Sequence, residues 1–217
     1  MRPWPPALNT LNIVFDFGAV VFNWLPEQLV ASHFPGHAET PQAARQLARA
    51  IFSHGDWHDF DRGTVAMDEV IDRSARRLNL PPAQMQQLVL AVPDHLQPMD
   101  GTVAILQDLV QRRQRGELRL YYLSNMPAPI ARVLEQRHDF LKWFDGGIFS
   151  GDVKLIKPDP AIYGLLETRF ALEPGRTVFI DDLKTNVIAA QARGWRAIHF
   201  ESAKQLENSL NSVFSGI

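Results

Sequence analysis

The sequence of 217 residues contains no cysteine. This absence excludes disulfide bonds, a thiolate nucleophile and zinc sites built from thiolates, but it does not identify the cellular compartment. A surplus of charge is also lacking, since 22 Lys and Arg residues stand against 24 Asp and Glu residues, for a formal net charge of -2. Without a basic surplus, we do not expect the protein to bind nucleic acid or a membrane surface.

The chain also lacks a hydrophobic run that could span a membrane. Its most apolar early stretch, residues 11–24, is too short to cross a bilayer and contains Asp16. The first residues are rich in proline and do not resemble a signal peptide, so we expect a cytoplasmic protein. Hydrophobic residues make up 46% of the chain and charged residues 21%, a composition typical of a globular domain with a buried core. The sequence leaves open whether the protein is a monomer or a homodimer.

Short apolar runs that end in polar or small residues recur along the chain. Their length and near-continuous hydrophobicity favour strands buried on both faces, as in a parallel sheet. The predicted strands are residues 12–15, 118–123, 147–149, 177–180 and 197–200. Helical patterns separate the later strands, at residues 127–136, 160–170 and 186–193. This alternation predicts an α/β protein with a Rossmann-like, doubly wound parallel sheet.

Residues 25–97 interrupt the alternation, because they contain no convincing strand. Predicted helices there are residues 26–33, 40–54, 65–78 and 82–91, with starts marked by Thr40-Pro41 and Pro81-Pro82. We therefore predict a core formed by residues 1–24 and 98–217, with residues 25–97 inserted after the first strand as a helical cap. Because this cap would begin beside the end of the first strand, we expect it to select the substrate.

Polar side chains follow the predicted strands where each one ends, and ligands bind beyond the carboxyl ends of strands in open parallel sheets. These side chains are Asp16, Ser124, Asn125, Lys157, Asp181 and Asp182. Three carboxylates with one ammonium need a further cation, and oxygen ligands favour Mg²⁺. Such a cation and Lys157 could neutralise the phosphoryl group of a substrate. Asp16 would then attack its phosphorus atom, while Ser124, Asn125 and Lys157 would bind its oxygens.

Four segments in this order resemble the motifs of the haloacid dehalogenase superfamily. They are Phe15-Asp16-Phe17-Gly18-Ala19-Val20-Val21, Leu123-Ser124-Asn125, the segment from Ser150 through Lys157 to Tyr163, and the segment from Phe179 through Asp181-Asp182 to Gly194. The inserted helices resemble the subclass with a helical cap, and Trp57 with Asp61-Arg62-Gly63 resembles the branch that contains bacterial glucose-1-phosphate phosphatase. The resemblance implies a magnesium-dependent phosphatase that hydrolyses a small phosphate monoester, such as a sugar phosphate, through an aspartyl-phosphate.

The resemblance also implies roles for the metal ligands. Asp16, the carbonyl of Gly18 and Asp182 would bind Mg²⁺, with Asp181 as an outer or secondary ligand. Gly18 departs from the usual pattern, in which a second aspartate two residues after the nucleophile acts as general acid and base. Two alternatives therefore stay open: a metal-independent 2-haloacid dehalogenase, and a phosphate-binding protein with little turnover.

A cluster of polar and aromatic residues in the predicted cap has two interpretations. It consists of His54, Trp57, His58 and Asp61. Histidines and a carboxylate this close in sequence could bind a metal or a polar substrate. The same residues could instead pack a helix end or line the cap without chemical involvement.

Overall fold

Five parallel strands form the sheet of the computed structural model, which describes residues 10–215. Residues 1–9 and 216–217, assigned to the core from the sequence, lie outside the described residues. The strands are β1 (Leu11–Phe15), β2 (Leu118–Ser124), β3 (Gly146–Phe149), β4 (Thr177–Asp181) and β5 (Arg196–His199). Their spatial order is β3-β2-β1-β4-β5, so the predicted parallel α/β fold is confirmed.

The centre of the sheet explains why the predicted strands are continuously apolar. Every residue of β1 and β4 is buried, because helices cover both faces of the sheet. In the pairing register, Phe15 lies beside Tyr122 on one side and Ile180 on the other. The carboxyl ends of the three central strands are therefore level, and the chain reverses its direction of winding between β1 and β4, where open sheets bind ligands.

Between β1 and β2, residues 26–95 form what we call the helical segment. Its helices are α1 (Pro26–His33), α2 (Pro41–Phe52), α3 (Gly55–Arg62), α4 (Met67–Leu78) and α5 (Pro82–His95). Thr40 caps α2 as predicted, since its Oγ1 accepts a hydrogen bond of 3.1 Å from the amide of Ala43. The prediction of one helix over residues 40–54 is wrong at its end: α2 stops at Phe52, and His54 caps the separate helix α3.

The remaining helices flank the sheet. They are α6 (Asp100–Gln114), α7 (Ala128–Arg137), α8 (Ser150–Val153), α9 (Pro160–Phe170), α10 (Lys184–Ala192) and α11 (Ala203–Ser215). The sequence patterns predicted α7, α9 and α10 but missed the other three. No helix within residues 10–215 has both the length and the apolar character to cross a membrane.

The helical segment leaves the sheet beside β1 and returns to the same place. The amide of Asn23 donates to the carbonyl of Gln97 at 2.8 Å, and the amide of Met99 donates to the carbonyl of Val21 at 2.8 Å. One buried hydrophobic cluster continues from the sheet into the segment and includes both Phe15 and Trp57. The helices are thereby held over the carboxyl end of β1.

A second junction joins the end of α3 to the start of α8. Gly63 has a φ of +76°, and a Cβ at this position would lie 2.3 Å from the carbonyl oxygen of Gly151. The Ser150 hydroxyl donates to the carbonyl of Asp61 at 2.5 Å and accepts from the amide of Met126 at 2.8 Å. Main-chain contact and one buried hydroxyl therefore fix α3 against the core.

Candidate active site

Asp16 is the first residue after β1 and occupies the middle of the strand ends. Its amide donates to the carbonyl of Ile180 at 2.9 Å, which extends the pairing with β4 by one step. Its carboxylate is buried, and Lys157 Nζ lies 2.9 Å from Oδ1 in an ion pair. A carboxylate oxygen has two lone pairs, so Asp16 Oδ1 can bind a further partner beside Lys157.

Lys157 supplies the positive charge beneath Asp16. Its Nζ is buried and also lies 2.6 Å from Oδ2 of Asp181. Burial disfavours the ammonium, but Asp16 and Asp181 outweigh this effect and hold the pKa of Lys157 above its ordinary value. Lys154, the other lysine near this loop, is exposed at the end of α8.

The side chain of Asn125 holds the main chain of Lys157. Asn125 Nδ2 donates to the Lys157 carbonyl at 2.9 Å, and the Lys157 amide donates to Asn125 Oδ1 at 2.8 Å. This pair of bonds joins the end of β2 to the lysine loop and leaves one amide hydrogen of Asn125 for another acceptor. Ser124 is buried at the end of β2, so phosphate binding by Ser124 stays a prediction.

Asp181 is fully buried, and protein groups occupy both of its carboxylate oxygens. Oδ1 accepts from the Leu183 amide at 2.8 Å and from Asn186 Nδ2 at 2.9 Å, while Oδ2 accepts from Lys157. These contacts fit an outer role for Asp181. Asn186 belongs to the fourth motif but was not among the predicted site residues, although it lies in the first turn of α10, five residues after Asp181.

Asp182 differs from Asp181 because it is only partly buried and faces open space beyond the strand ends. Burial raises the pKa of Asp182 to about 6, with a further contribution from the negative charge of Asp181. For Asp16, burial raises the pKa to about 7, and the charges of Asp181 and Asp182 add to the shift while Lys157 opposes it. Burial is the main cause of both raised pKa values, and the neighbouring carboxylates add to it.

The three carboxylates form a site suited to a divalent cation. Asp16, Asp181 and Asp182 each offer an oxygen within 4.8 Å of the others, and no other such cluster of acidic or histidine residues occurs within residues 10–215. One ammonium leaves two of the three negative charges unbalanced. Oxygen ligands that lie close together and an excess of negative charge fit Mg²⁺.

The stability of the metal-free protein should therefore depend on pH. The pKa values of about 7 for Asp16 and about 6 for Asp182 lie above the ordinary value of 3.8. The folded state binds these protons more tightly than the unfolded chain does, and this difference contributes to the free energy of unfolding. The contribution is fully present below pH 4 and should be lost as the pH rises through 7. In EDTA, we expect the Tm of the unchanged protein to fall from pH 4 to above pH 7 by about 5 °C more than the Tm of Asp16→Asn falls.

Thermal unfolding at several pH values, with EDTA or with MgCl₂, measures this effect. Magnesium should raise the Tm more at pH 8 than at pH 5, since protons compete for the same oxygens. Equal stabilisation by magnesium at both pH values would contradict the assignment of these carboxylates.

A cavity of about 420 Å³ lies between the strand ends and the helical segment. Asp16, Gly18 and Asp182 line it from the sheet side. A Cβ built on Gly18 would meet nothing within 4 Å, so the place where relatives of the resembled family carry a second aspartate is open space.

Asp61 lines the same cavity from α3. Burial raises the pKa of Asp61 to about 8, and the negative charge of Asp16 contributes to the shift. The ammonium of Lys157 and a hydrogen-bonding interaction with Trp57 offset only part of it. At neutral pH the Asp61 carboxyl therefore holds its proton and can donate it.

The other members of the cap cluster have different surroundings. His54 caps α3, since its Nδ1 accepts from the Asp56 amide at 3.1 Å. His58 is exposed at the cavity rim, and Trp57 is buried in the cavity wall. Within the described residues these side chains do not bring three possible ligand atoms together, so the metal-binding interpretation gains no support from the geometry.

Comparison with known proteins identifies the class of this fold and site. The sequence model of haloacid dehalogenase-like hydrolases matches residues 67–194, more than half of the chain. The chain therefore belongs to the haloacid dehalogenase-like hydrolases. A member of this family from Bacteroides thetaiotaomicron, solved in complex with magnesium and inorganic phosphate, has a TM-score of 0.69 and 17% identity, with 88% of this chain and 94% of that chain covered.

Two fungal proteins are among the relatives of the chain. It is 27% identical over 187 residues to a sesquiterpene phosphatase from Aspergillus oryzae, and the alignment covers 86% of this chain and 87% of the phosphatase. It is also 27% identical over 202 residues to a drimenol cyclase from Aspergillus calidoustus, and the alignment covers 93% of this chain and 36% of the cyclase. The chain thus spans about a third of the cyclase but most of the phosphatase.

Proposed function

We propose that this hydrolase is a magnesium-dependent phosphatase that cleaves a phosphate monoester through an aspartyl-phosphate on Asp16. The observation that carries the proposal is the set of three carboxylates around one buried ammonium at the strand ends, more negative groups than this ammonium can balance. The likeness to a sesquiterpene phosphatase over most of both chains supports phosphate ester hydrolysis.

The chain's own residues divide the first half of the reaction between them. A carboxylate oxygen of Asp16 attacks phosphorus, the bond between phosphorus and the ester oxygen breaks, and the alcohol leaves. Lys157 favours the ionised form of Asp16 and attracts the phosphoryl group, while Asn125 holds the lysine main chain. Bound to Asp16, Asp182 and the Gly18 carbonyl, Mg²⁺ would neutralise phosphoryl charge.

Asp61 takes the proton-transfer role that Gly18 cannot fill. Its protonated carboxyl lies in the cavity wall on the helical segment, across from Asp16, and its main chain is fixed by Ser150. Asp61 donates its proton to the departing alcohol oxygen. In the second half of the reaction, the Asp61 carboxylate accepts a proton from the water that attacks phosphorus, which releases phosphate and restores Asp16.

Chelation tests the proposal directly. Hydrolysis of p-nitrophenyl phosphate should stop in EDTA and return in full when MgCl₂ is added in excess, because two carboxylate charges otherwise repel the phosphoryl group. Asp152→Asn, which changes an exposed carboxylate outside the cavity, is a matched control and should show the same magnesium dependence as the unchanged protein.

Two outcomes would support the alternatives instead. Undiminished activity after exhaustive chelation, together with halide release from 2-haloacids, would select the dehalogenase. Phosphate binding without turnover of any ester would select the phosphate-binding protein.

A further inference from the structure

We infer that the alcohol part of the substrate is an apolar hydrocarbon, an inference that rests on the proposed phosphatase function. The cavity has two different ends. Charged groups gather at the strand ends, where the phosphoryl group would lie. The helical segment, the residues that flank it and α7 supply an apolar wall for the rest of the substrate. The residues of this wall include Trp24, Phe52, Trp57, Val92, Leu96 and Ile130.

Aromatic rings form a continuous part of the wall. The rings of Trp24 and Phe52 meet edge to face with their centroids 5.0 Å apart, and those of Phe52 and Trp57 do so at 4.7 Å. Phe52 and Trp57 are buried on the protein side, so they present fixed ring surfaces to the cavity. Binding of an apolar ligand to such surfaces is favourable, because it removes apolar area of both the ligand and the rings from water.

The polar side chains of the helical segment that line the cavity do not provide a sugar site. Arg49, Ser53 and His58 are exposed at the rim, and Glu27 is partly exposed. Apart from Asp61, whose carboxyl faces the reacting ester oxygen in the proposed mechanism, no buried polar side chain in the described part of the segment lines the cavity. A sugar would lose hydrogen bonds to water against this wall without replacing them, whereas a hydrocarbon loses none.

The cavity volume bears on the size of the alcohol. A cavity of about 420 Å³ lies within the range of pockets that bind drug-sized ligands. It therefore has room for an alkyl chain well beyond ethyl next to the phosphoryl group.

A homologous series of n-alkyl phosphates, from ethyl to dodecyl, tests the inference on the unmodified protein. We expect kcat/KM to rise about three- to fourfold for each added methylene and to level off once the alkyl chain extends past the cavity rim into solvent. Glucose 1-phosphate and glucose 6-phosphate should be hydrolysed at least about a hundredfold less efficiently than octyl phosphate. All assays are run below the critical micelle concentration of the ester.

A cavity-filling substitution provides the matched comparison. Ala48 lies on α2 and lines the cavity, whereas Ala50 on the same helix does not. Ala48→Phe should lower kcat/KM for octyl phosphate at least about tenfold and leave ethyl phosphate nearly unchanged, because only the longer chain needs the filled space. Ala50→Phe should change neither.

The outcomes separate this inference from the proposed function. Magnesium-dependent hydrolysis of p-nitrophenyl phosphate, with no gain from chain length or with glucose phosphates preferred, would overturn the inference and leave the phosphatase proposal standing. Failure to hydrolyse any ester would overturn both. The chain-length series decides the matter even if Ala48→Phe does not fold.

Discussion

Asp16→Asn should lower the rate of phosphate ester hydrolysis by at least about 10⁴-fold, because the amide oxygen cannot form the aspartyl-phosphate. The substitution is nearly isosteric, so the buried strand end keeps its packing. In the absence of metal the Tm should not fall, since the lost charge is one that Asp181 and Asp182 repel. Steady-state assays and thermal unfolding of the same preparation measure both effects.

Retention of more than a few per cent of the original rate would rule out Asp16 as the nucleophile. Mass spectrometry of acid-quenched protein during turnover adds a direct test. A phosphoryl group should be found on Asp16 of the unmodified chain and be absent from Asp16→Asn.

Asp61→Asn should slow the first turnover of an alkyl phosphate by about 10²- to 10³-fold, because an alkoxide leaves poorly without a proton. The first turnover of p-nitrophenyl phosphate should change by less than about tenfold, since p-nitrophenolate leaves readily without one. Rapid-quench measurement of alcohol release compares the two esters. Asp59→Asn, on the same helix but paired with Arg62, is the control and should affect neither ester.

Gly18→Asp in the Asp61→Asn background extends this test. The position has open space for a side chain, so a carboxyl placed there should restore part of the alkyl phosphate rate. An equal loss for both esters in Asp61→Asn, with no recovery on Gly18→Asp, would assign Asp61 a positioning role instead of proton transfer.

The sheet and the core of the site could be predicted from the sequence because local signals carry them. Buried parallel strands read as apolar runs, and each run ended in the residue that the fold brings to the centre, as with Asp16 and Asp181. The helical segment was harder to divide. His54 caps α3 with a ring nitrogen, a signal weaker than the Thr40-Pro41 start of α2, so α3 was not predicted and the helix before it was extended by two residues.

What the sequence did not reveal depends on contacts between distant residues. The two bonds between Asn125 and Lys157 span 32 positions, and the bond from Ser150 to Asp61 spans 89. The raised pKa of Asp61 arises from its burial opposite Asp16, which no spacing along the chain indicates. Membership of the glucose-1-phosphate phosphatase branch stays a prediction, and the apolar wall argues for a different kind of alcohol.

The junction of Gly63 with Gly151 has a consequence for catalytic geometry. A Cβ on Gly151 would itself lie 2.5 Å from the Ala128 amide nitrogen, so three main chains are stacked there without a side chain between them. Asp61 lies two residues before this stack. The distance between the proton donor and the nucleophile is therefore fixed by main-chain packing. Side chains elsewhere in the helical segment can change to suit a new alcohol without altering this distance.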